Sequence, residues 1–237
     1  DRVTDRGFID VGAFGIFVRE IEAVLLDRRV DIAVHSYKDL PSRSPDELVV
    51  AAVPERLDAA DVLLARADSA AAERGTLPLR EGARVGTSAA RRQALLRSLR
   101  PDLDIGMLRG NVPTRVSALS DGRFDAIVLA AAGLTRLEGA AEGEALVVGG
   151  DIVRTRLDPA TFVPAPAQGA IAVQVRAQDS AVRDAVAAID DARTARSLRA
   201  ERSALAFAWS GRTQADPCVA WPRPWASSAW CSTARTS

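Results

Sequence analysis

The sequence predicts an α/β fold, and three observations predict it. Short apolar runs alternate with stretches of helical periodicity along most of the chain. Turn signals such as Leu40-Pro41 and Gly110-Asn111 fall where those runs end. Of the 237 residues, 48% are hydrophobic, enough for a core, yet no apolar run reaches the roughly 18 residues of a membrane span.

The elements follow in order. Residues 16–30 place Phe17, Ile21, Val24 and Leu25 on one helical face. Val30 to His35 reads as a buried strand, and Lys38-Asp39-Leu40-Pro41 as a loop at its carboxyl end. Leu48 to Val53 is a second strand, and residues 66–82 a loop with a weak helix. Arg84 to Thr87 reads as a strand end, with Ser88 as N-cap of a helix from Ala89 to Leu99. Leu103 to Leu108 is a strand, and Arg109 to Pro113 turns into a helix from Thr114 to Leu119. Phe124 to Ala130 is a strand, followed by a helical turn from Ala131 to Leu137. Such alternation implies parallel βαβ units, whose ligands sit beyond the carboxyl ends of the strands. Val163 to Val175 connects into a further strand, and Ala181 to Phe207 is mostly helical in pattern.

Charge and composition narrow the function. Lys+Arg and Asp+Glu both number 31, which argues against a polybasic nucleic-acid arm or an acidic tail, so no nucleic-acid partner is expected. The first six residues carry charge where a signal peptide would be apolar, so a cytoplasmic protein with no membrane partner is expected. No CxxC, HExxH or glycine-rich nucleotide loop occurs, and one histidine does not build a zinc site, so no metal is expected. Only one basic residue is lysine, Lys38; thirty are arginine. His35, Tyr37 and Lys38, each the sole residue of its type, fall within four positions. A lysine kept against such a bias suggests a place where arginine does not serve.

Two constellations carry chemistry. Arg91 and Arg92 fall in the first turn of a helix, where cations are unfavourable unless an anion is bound. Arg109, Arg115 and Arg136 follow the next strands, and guanidinium forks match carboxylates. Thirty arginines would scatter onto turns in any case, but as a set these point to a ligand with several carboxylates. Lys38-Asp39 at a strand end is either a turn-forming ion pair or an acid/base and charge-stabilising pair. His35, inside an apolar strand, reads as a satisfied structural residue.

These residues resemble the porphobilinogen deaminase (hydroxymethylbilane synthase) family. The matching stretches are His35-Ser36-Tyr37-Lys38-Asp39-Leu40-Pro41, Val85 to Gln93, and Leu108 to Arg115. Asp125 to Leu134 with Arg136, and Pro164 to Ala170, complete the set. The resemblance runs from about residue 1 to about 207. It implies two domains like type II periplasmic binding proteins, with mixed or parallel sheets and the active cleft between them, plus a small α+β third domain. On this sequence it implies a first domain over 1–60 with a return segment over 161–190, a second over 61–160, and a remnant of the third over 191–237.

The resemblance also implies the activity: stepwise head-to-tail condensation of four porphobilinogen molecules with release of ammonia, in tetrapyrrole biosynthesis. A dipyrromethane cofactor, joined to a cysteine by a thioether, primes the reaction. Asp39 matches the catalytic aspartate, which hydrogen-bonds pyrrole N–H groups and stabilises an azafulvenium-like cation. Lys38, Ser88, Arg91, Arg92, Arg109 and Arg115 match cofactor-binding positions, and Arg109, Arg115 and Arg136 substrate-binding ones. A monomer is implied.

Three departures stand out. The family's opening strand and helix are not in the sequence, so it reads as a fragment or a mis-started frame. Phe14 stands where the family has a flexible-loop lysine, in Gly12-Ala13-Phe14-Gly15. The cofactor cysteine is expected about eleven positions after Glu201-Arg202, where Arg212 stands; Cys218, six residues on, is the candidate for attachment. All four tryptophans and both cysteines fall in residues 209–237, which read either as a shifted frame from about 208 or as an irregular subdomain. The alternative function is a non-catalytic, polycarboxylate-binding remnant of the same fold that lacks the cofactor cysteine.

Overall fold

The computed structural model describes residues 13–71, 75–139 and 151–210. The described residues divide into two compact units, 13–56 with 170–210 and 57–139 with 151–169. The boundaries expected from the sequence lay at 60/61 and 160/161. Contacts place the long helix after residue 191 with the first unit. No described helix is long and apolar enough to cross a membrane.

The first unit opens with α1 (Ala13–Leu26). The helix stops four residues short of the expected Val30 because Arg28 takes a left-handed φ of 58°. The Arg29 N–H then reaches back to Val24 O at 3.1 Å, a closure that leaves no continuing turn. Three strands follow: β1 (Ala33–Ser36), β2 (Leu48–Ala52) and, after the excursion through the second unit, β8 (Ile171–Arg176). The sheet order is β1-β8-β2 and both pairings are antiparallel. Val18, Leu25, Ala33, Leu40, Leu48 and Ala172 are its buried apolar side chains on the α1 side. Two helices end the described chain, α5 (Ser180–Ala187) and α6 (Ala192–Ser210). The mostly helical pattern expected from 181 to 207 has one break, at residues 188–191. Asp190 accepts from Val53 N at 2.8 Å, and Asp191 caps α6 through Thr194 N at 2.7 Å.

The second unit is built on five strands in the order β5-β4-β6-β3-β7. They are β3 (Asp61–Arg66), β4 (Arg84–Gly86), β5 (Asp104–Gly106), β6 (Ala126–Ala130) and β7 (Ile152–Arg156). Parallel pairing is confined to β4 with β5 and β4 with β6; β3 runs antiparallel to β6 and β7. The α/β class holds, with mixed sheets in place of uniform parallel βαβ units. Helices α2 (Ala90–Leu99), α3 (Val112–Ser120) and α4 (Ala131–Glu138) complete the unit.

Both faces of this sheet are covered. Leu63, Ala65, Ala126 and Val128 pack with Leu96, Leu103 and Phe162 in one cluster. Val62, Leu64, Ile127 and Leu129 pack with Val116, Leu119 and Leu134 in the other. Alternate residues of one strand serve opposite cores, so β3 reads as a continuous apolar run. It escapes the periodicity reading for that reason. Residues 66–82 contain a 3-10 turn, Ala67–Ser69, and an Ala70–Leu79 bridge, with no α-helix among the described positions.

Candidate functional site

In the first unit the site grows from the end of β1. The chain turns through a single 3-10 turn, Tyr37–Asp39, and Leu40 then buries its side chain. Tyr37 N donates to Ala170 O at 3.0 Å, which ties the turn to β8. Arg202 of α6 pins the turn from outside. Its guanidinium lies 4.6 Å from the Tyr37 ring centroid and donates to Tyr37 O, Leu40 O and Pro41 O.

Asp39 is half-buried at the close of this turn, and its carboxylate accepts no hydrogen bond among the described residues. Burial pushes its carboxyl above the ordinary aspartate value, opposed by the charges of Lys38 and His35. Asp39 and His35 line a cavity of about 250 Å³ whose other walls include Phe17, Val18 and Ile21 of α1. A desolvated carboxylate with free lone pairs on a cavity can hold or release a proton, or face a developing cation. Lys38 is half-buried in the same turn.

In the second unit the topology brings the arginines to one end of the sheet. β4, β5 and β6 are parallel, and Arg91 and Arg92 follow β4, Arg109 follows β5, and Arg136 follows β6. Because β3 is antiparallel to β6, its first residue, Asp61, pairs with Ala130 at this same end. Asp61 is fully buried and gathers three side chains. Arg92 donates to it through Nε at 3.1 Å and Nη2 at 2.7 Å, Arg91 through Nη2 at 2.6 Å, and Gln168 through Nε2 at 2.9 Å. Burial alone would raise the Asp61 carboxyl, but Arg92 and Arg91 hold it below the usual value.

The five arginines therefore differ. The Arg92 side chain is 6% exposed, with its remaining Nη1 on Val128 O at 3.0 Å. Arg91 keeps 26% of its side chain exposed, bonds Val163 O, and lies over the Phe162 ring. Arg115 gives Nε to Gly110 O at 2.7 Å, and Arg136 gives Nη2 to Gly169 O at 2.8 Å. Neither has a carboxylate within ion-pair distance among the described residues. Burial lowers the basicity of Arg91, Arg115 and Arg136, with the charge of Arg92 adding to the effect on Arg115. Arg109 is exposed on the turn before α3. That turn is held by Asn111, whose Oδ1 accepts from Thr114 N at 2.9 Å, and by Gly110 at φ 108°, where a Cβ would meet Thr114 at 2.9 Å.

Ser88 is placed differently from its expected role. The N-cap of α2 is Ala89, with no side-chain cap bond; Thr87 Oγ1 takes the Ala89 N–H at 3.3 Å instead. Thr87 is buried against the strand end, so its hydroxyl is already fixed where the loop needs an acceptor. Ser88 is half-buried in the same loop. Cys218, the candidate for cofactor attachment, lies outside the described residues. Asp61, Gln168 and Arg202 shape the candidate site without having been singled out from the sequence; Gln168 stood inside a quoted motif, and Arg202 served only as a landmark for the expected cysteine.

A family model described as "Porphobilinogen deaminase, dipyromethane cofactor binding domain" matches residues 1–184. The chain belongs to the porphobilinogen deaminase family. It is 44% identical over 205 residues to porphobilinogen deaminase of Syntrophobacter fumaroxidans, covering 86% of this chain and 62% of that one. It is 44% identical over 206 residues to that of Sorangium cellulosum, covering 87% and 64%. The chain thus spans somewhat under two thirds of the length of the curated relatives it matches. Among solved structures, the periplasmic VFT2 domain of Bordetella pertussis BvgS is similar at 14% identity and a TM-score of 0.44, covering 78% of this chain and 72% of that one. A Salmonella typhimurium periplasmic binding protein with high arginine specificity is similar at 12% and 0.40, covering 81% and 75%.

The family's cofactor is dipyrromethane. The donor set fits a group bearing several carboxylates: Arg115 and Arg136 are partly desolvated and have no carboxylate partner among the described residues, and Arg91 keeps part of its guanidinium exposed.

Proposed function

We propose that this chain carries the cofactor-holding and proton-handling residues of a hydroxymethylbilane synthase. The reaction is the head-to-tail condensation of four porphobilinogen molecules with loss of ammonia at each step. The observation that supports this best is the pair Arg115 and Arg136, partly desolvated cations after parallel strands that have no carboxylate within ion-pair distance among the described residues. Guanidinium groups in that state gain most from a ligand that brings its own carboxylates.

In this reading Arg91, Arg109, Arg115 and Arg136 hold acetate and propionate groups, and Arg92 acts with Asp61 as the fixed base of that rack. Lys38 and Ser88 complete the cofactor contacts. When bound, dipyrromethane supplies the free pyrrole carbon on which the chain is extended. Asp39 accepts pyrrole N–H donors, and its carboxylate stabilises positive charge as the amino group departs. Its desolvated position makes that charge interaction stronger than water would allow.

The test is calorimetric titration of the full chain with porphobilinogen and with a synthetic dipyrromethane bearing acetate and propionate groups, with ammonia release followed in parallel. Saturable binding, weakened about tenfold or more by Arg115→Ala and by Arg136→Ala, is expected. Binding unaffected by both substitutions, or none, would overturn the reading. Binding without ammonia release would favour the non-catalytic alternative.

A further inference from the structure

His35 is the only histidine in the chain and is 6% exposed. On β1 it stands opposite Ala172, one diagonal step from Gln174 on the same face of the sheet. Its Nε2 lies 3.0 Å from Gln174 Oε1, and Gln174 Nε2 donates to Glu22 Oε1 of α1 at 2.9 Å. All three side chains are buried.

The polarity of this row is fixed from one end. A carboxylate only accepts, so Gln174 turns its amide nitrogen to Glu22 and its carbonyl oxygen to His35. That oxygen only accepts in turn, so His35 Nε2 carries the hydrogen. Nδ1 has no hydrogen-bond partner among the described residues. The one fully buried side-chain polar atom without a partner there is Arg176 Nε, so Nδ1 is not sealed inside the protein, and the His35 ring lines a cavity together with Asp39.

We infer that Glu22 and Gln174 are positioning residues that lock His35 as the Nε2–H imidazole and present its Nδ1 to the cavity, where it sets the charge state of Asp39. The charge of His35 acts on Asp39 against the effect of burial. Lys38 contributes the second positive charge near Asp39, and Arg202 stacks on the neighbouring Tyr37. The cavity walls from α1, Phe17, Val18 and Ile21, bring no charge. The consequence for catalysis rests on the role proposed for Asp39; the geometry does not.

Because the chain holds one histidine, long-range proton–nitrogen NMR of the 15N-labelled full chain reads its tautomer without assignment. The Nε2–H form alone is expected for the neutral ring. Glu22→Gln keeps the shape but lets both amides rotate, so a mixture of tautomers is expected; Gln174→Leu should also give a mixture. A neutral ring protonated at Nδ1, or a pure Nε2–H signal retained in Glu22→Gln, would overturn the relay. The second readout is the Asp39 carboxyl titration, followed by 13C NMR with Asp39→Asn as the subtraction control. His35→Asn should move its midpoint upward by about half a pH unit or more. An unchanged midpoint would overturn the control of Asp39 by His35 while leaving the proposed function standing. Tautomer and coupling as expected in a chain that binds no porphobilinogen or dipyrromethane would sink the function and leave this inference.

Discussion

Asp39 and Asp61 are both aspartates at strand ends, both withdrawn from water, and their carboxyls move in opposite directions. Asp61 is the more deeply buried, yet it is held below the usual value because the guanidinium groups of Arg92 and Arg91 pair with it, while Gln168 adds a further N–H donor. Asp39 is only half-buried, yet it is raised because no described donor reaches it. Burial supplies the same penalty in kind at both places; the donors decide its outcome. A carboxylate matched by its own protein is a structural element. One left unmatched on a cavity has capacity for a ligand.

The largest effect expected from this contrast is on stability. Asp61→Asn leaves two arginines near the base of the sheet without their counter-charge and should cost about 3–5 kcal/mol, read from urea denaturation. A loss below about 1 kcal/mol would show that Asp61 is not the anchor of the arginine pair. Next comes Asp39→Asn, which should lower ammonia release from porphobilinogen about 10²–10³-fold while leaving the denaturation midpoint unchanged or slightly higher. Equal losses of folding stability in the two variants would erase the distinction between them.

Gln168→Leu tests the third donor on Asp61. It also frees Ala59 O, which now accepts from Gln168 at 2.7 Å, and should cost about 1.5–3 kcal/mol. The smallest effect is on pH dependence, where the two carboxyls should contribute opposite slopes. The folded carboxyl of Asp61 lies below its unfolded value, so its stabilisation is present above the unfolded value of 3.8 and is lost as pH falls through the folded one. The folded carboxyl of Asp39 lies above that value, so the native state holds its proton longer and stability declines as pH rises from 3.8 through the folded value. Denaturation at stepped pH should flatten one slope in Asp61→Asn and the other in Asp39→Asn. Slopes of the same sign would refute the contrast.

The parts of the molecule that show in the sequence are those governed by local rules. The arginines after β4, β5 and β6 stand out because cations at a helix start and at strand ends break a local preference. The 3-10 turn of Asp39 shows as Lys-Asp-Leu-Pro at the end of an apolar run. β3 does not show, because a strand buried on both faces loses the alternation that marks a strand. β7, Ile-Val-Arg-Thr-Arg at the sheet edge, is too short and mixed to stand out. Asp61 is hidden for a related reason: its partners lie 30, 31 and 107 positions away, and only the antiparallel return of β3 beside β6 brings them to one end. Arg202 is 165 residues from the turn it pins. The Glu22–Gln174–His35 row crosses a helix and two strands, and nothing in the spacing of those residues announces it.

Lys38 has a practical consequence. A protease that cuts only after lysine has a single bond to attack in the whole chain, the one between Lys38 and Asp39. That bond lies inside the 3-10 turn, held by Arg202 on one side and Ala170 on the other. Proteolysis needs an extended segment, so the cleavage rate measures how often this one turn lets go of its moorings. The chain thus carries a built-in clock for the opening of the turn that holds Asp39, with no label added.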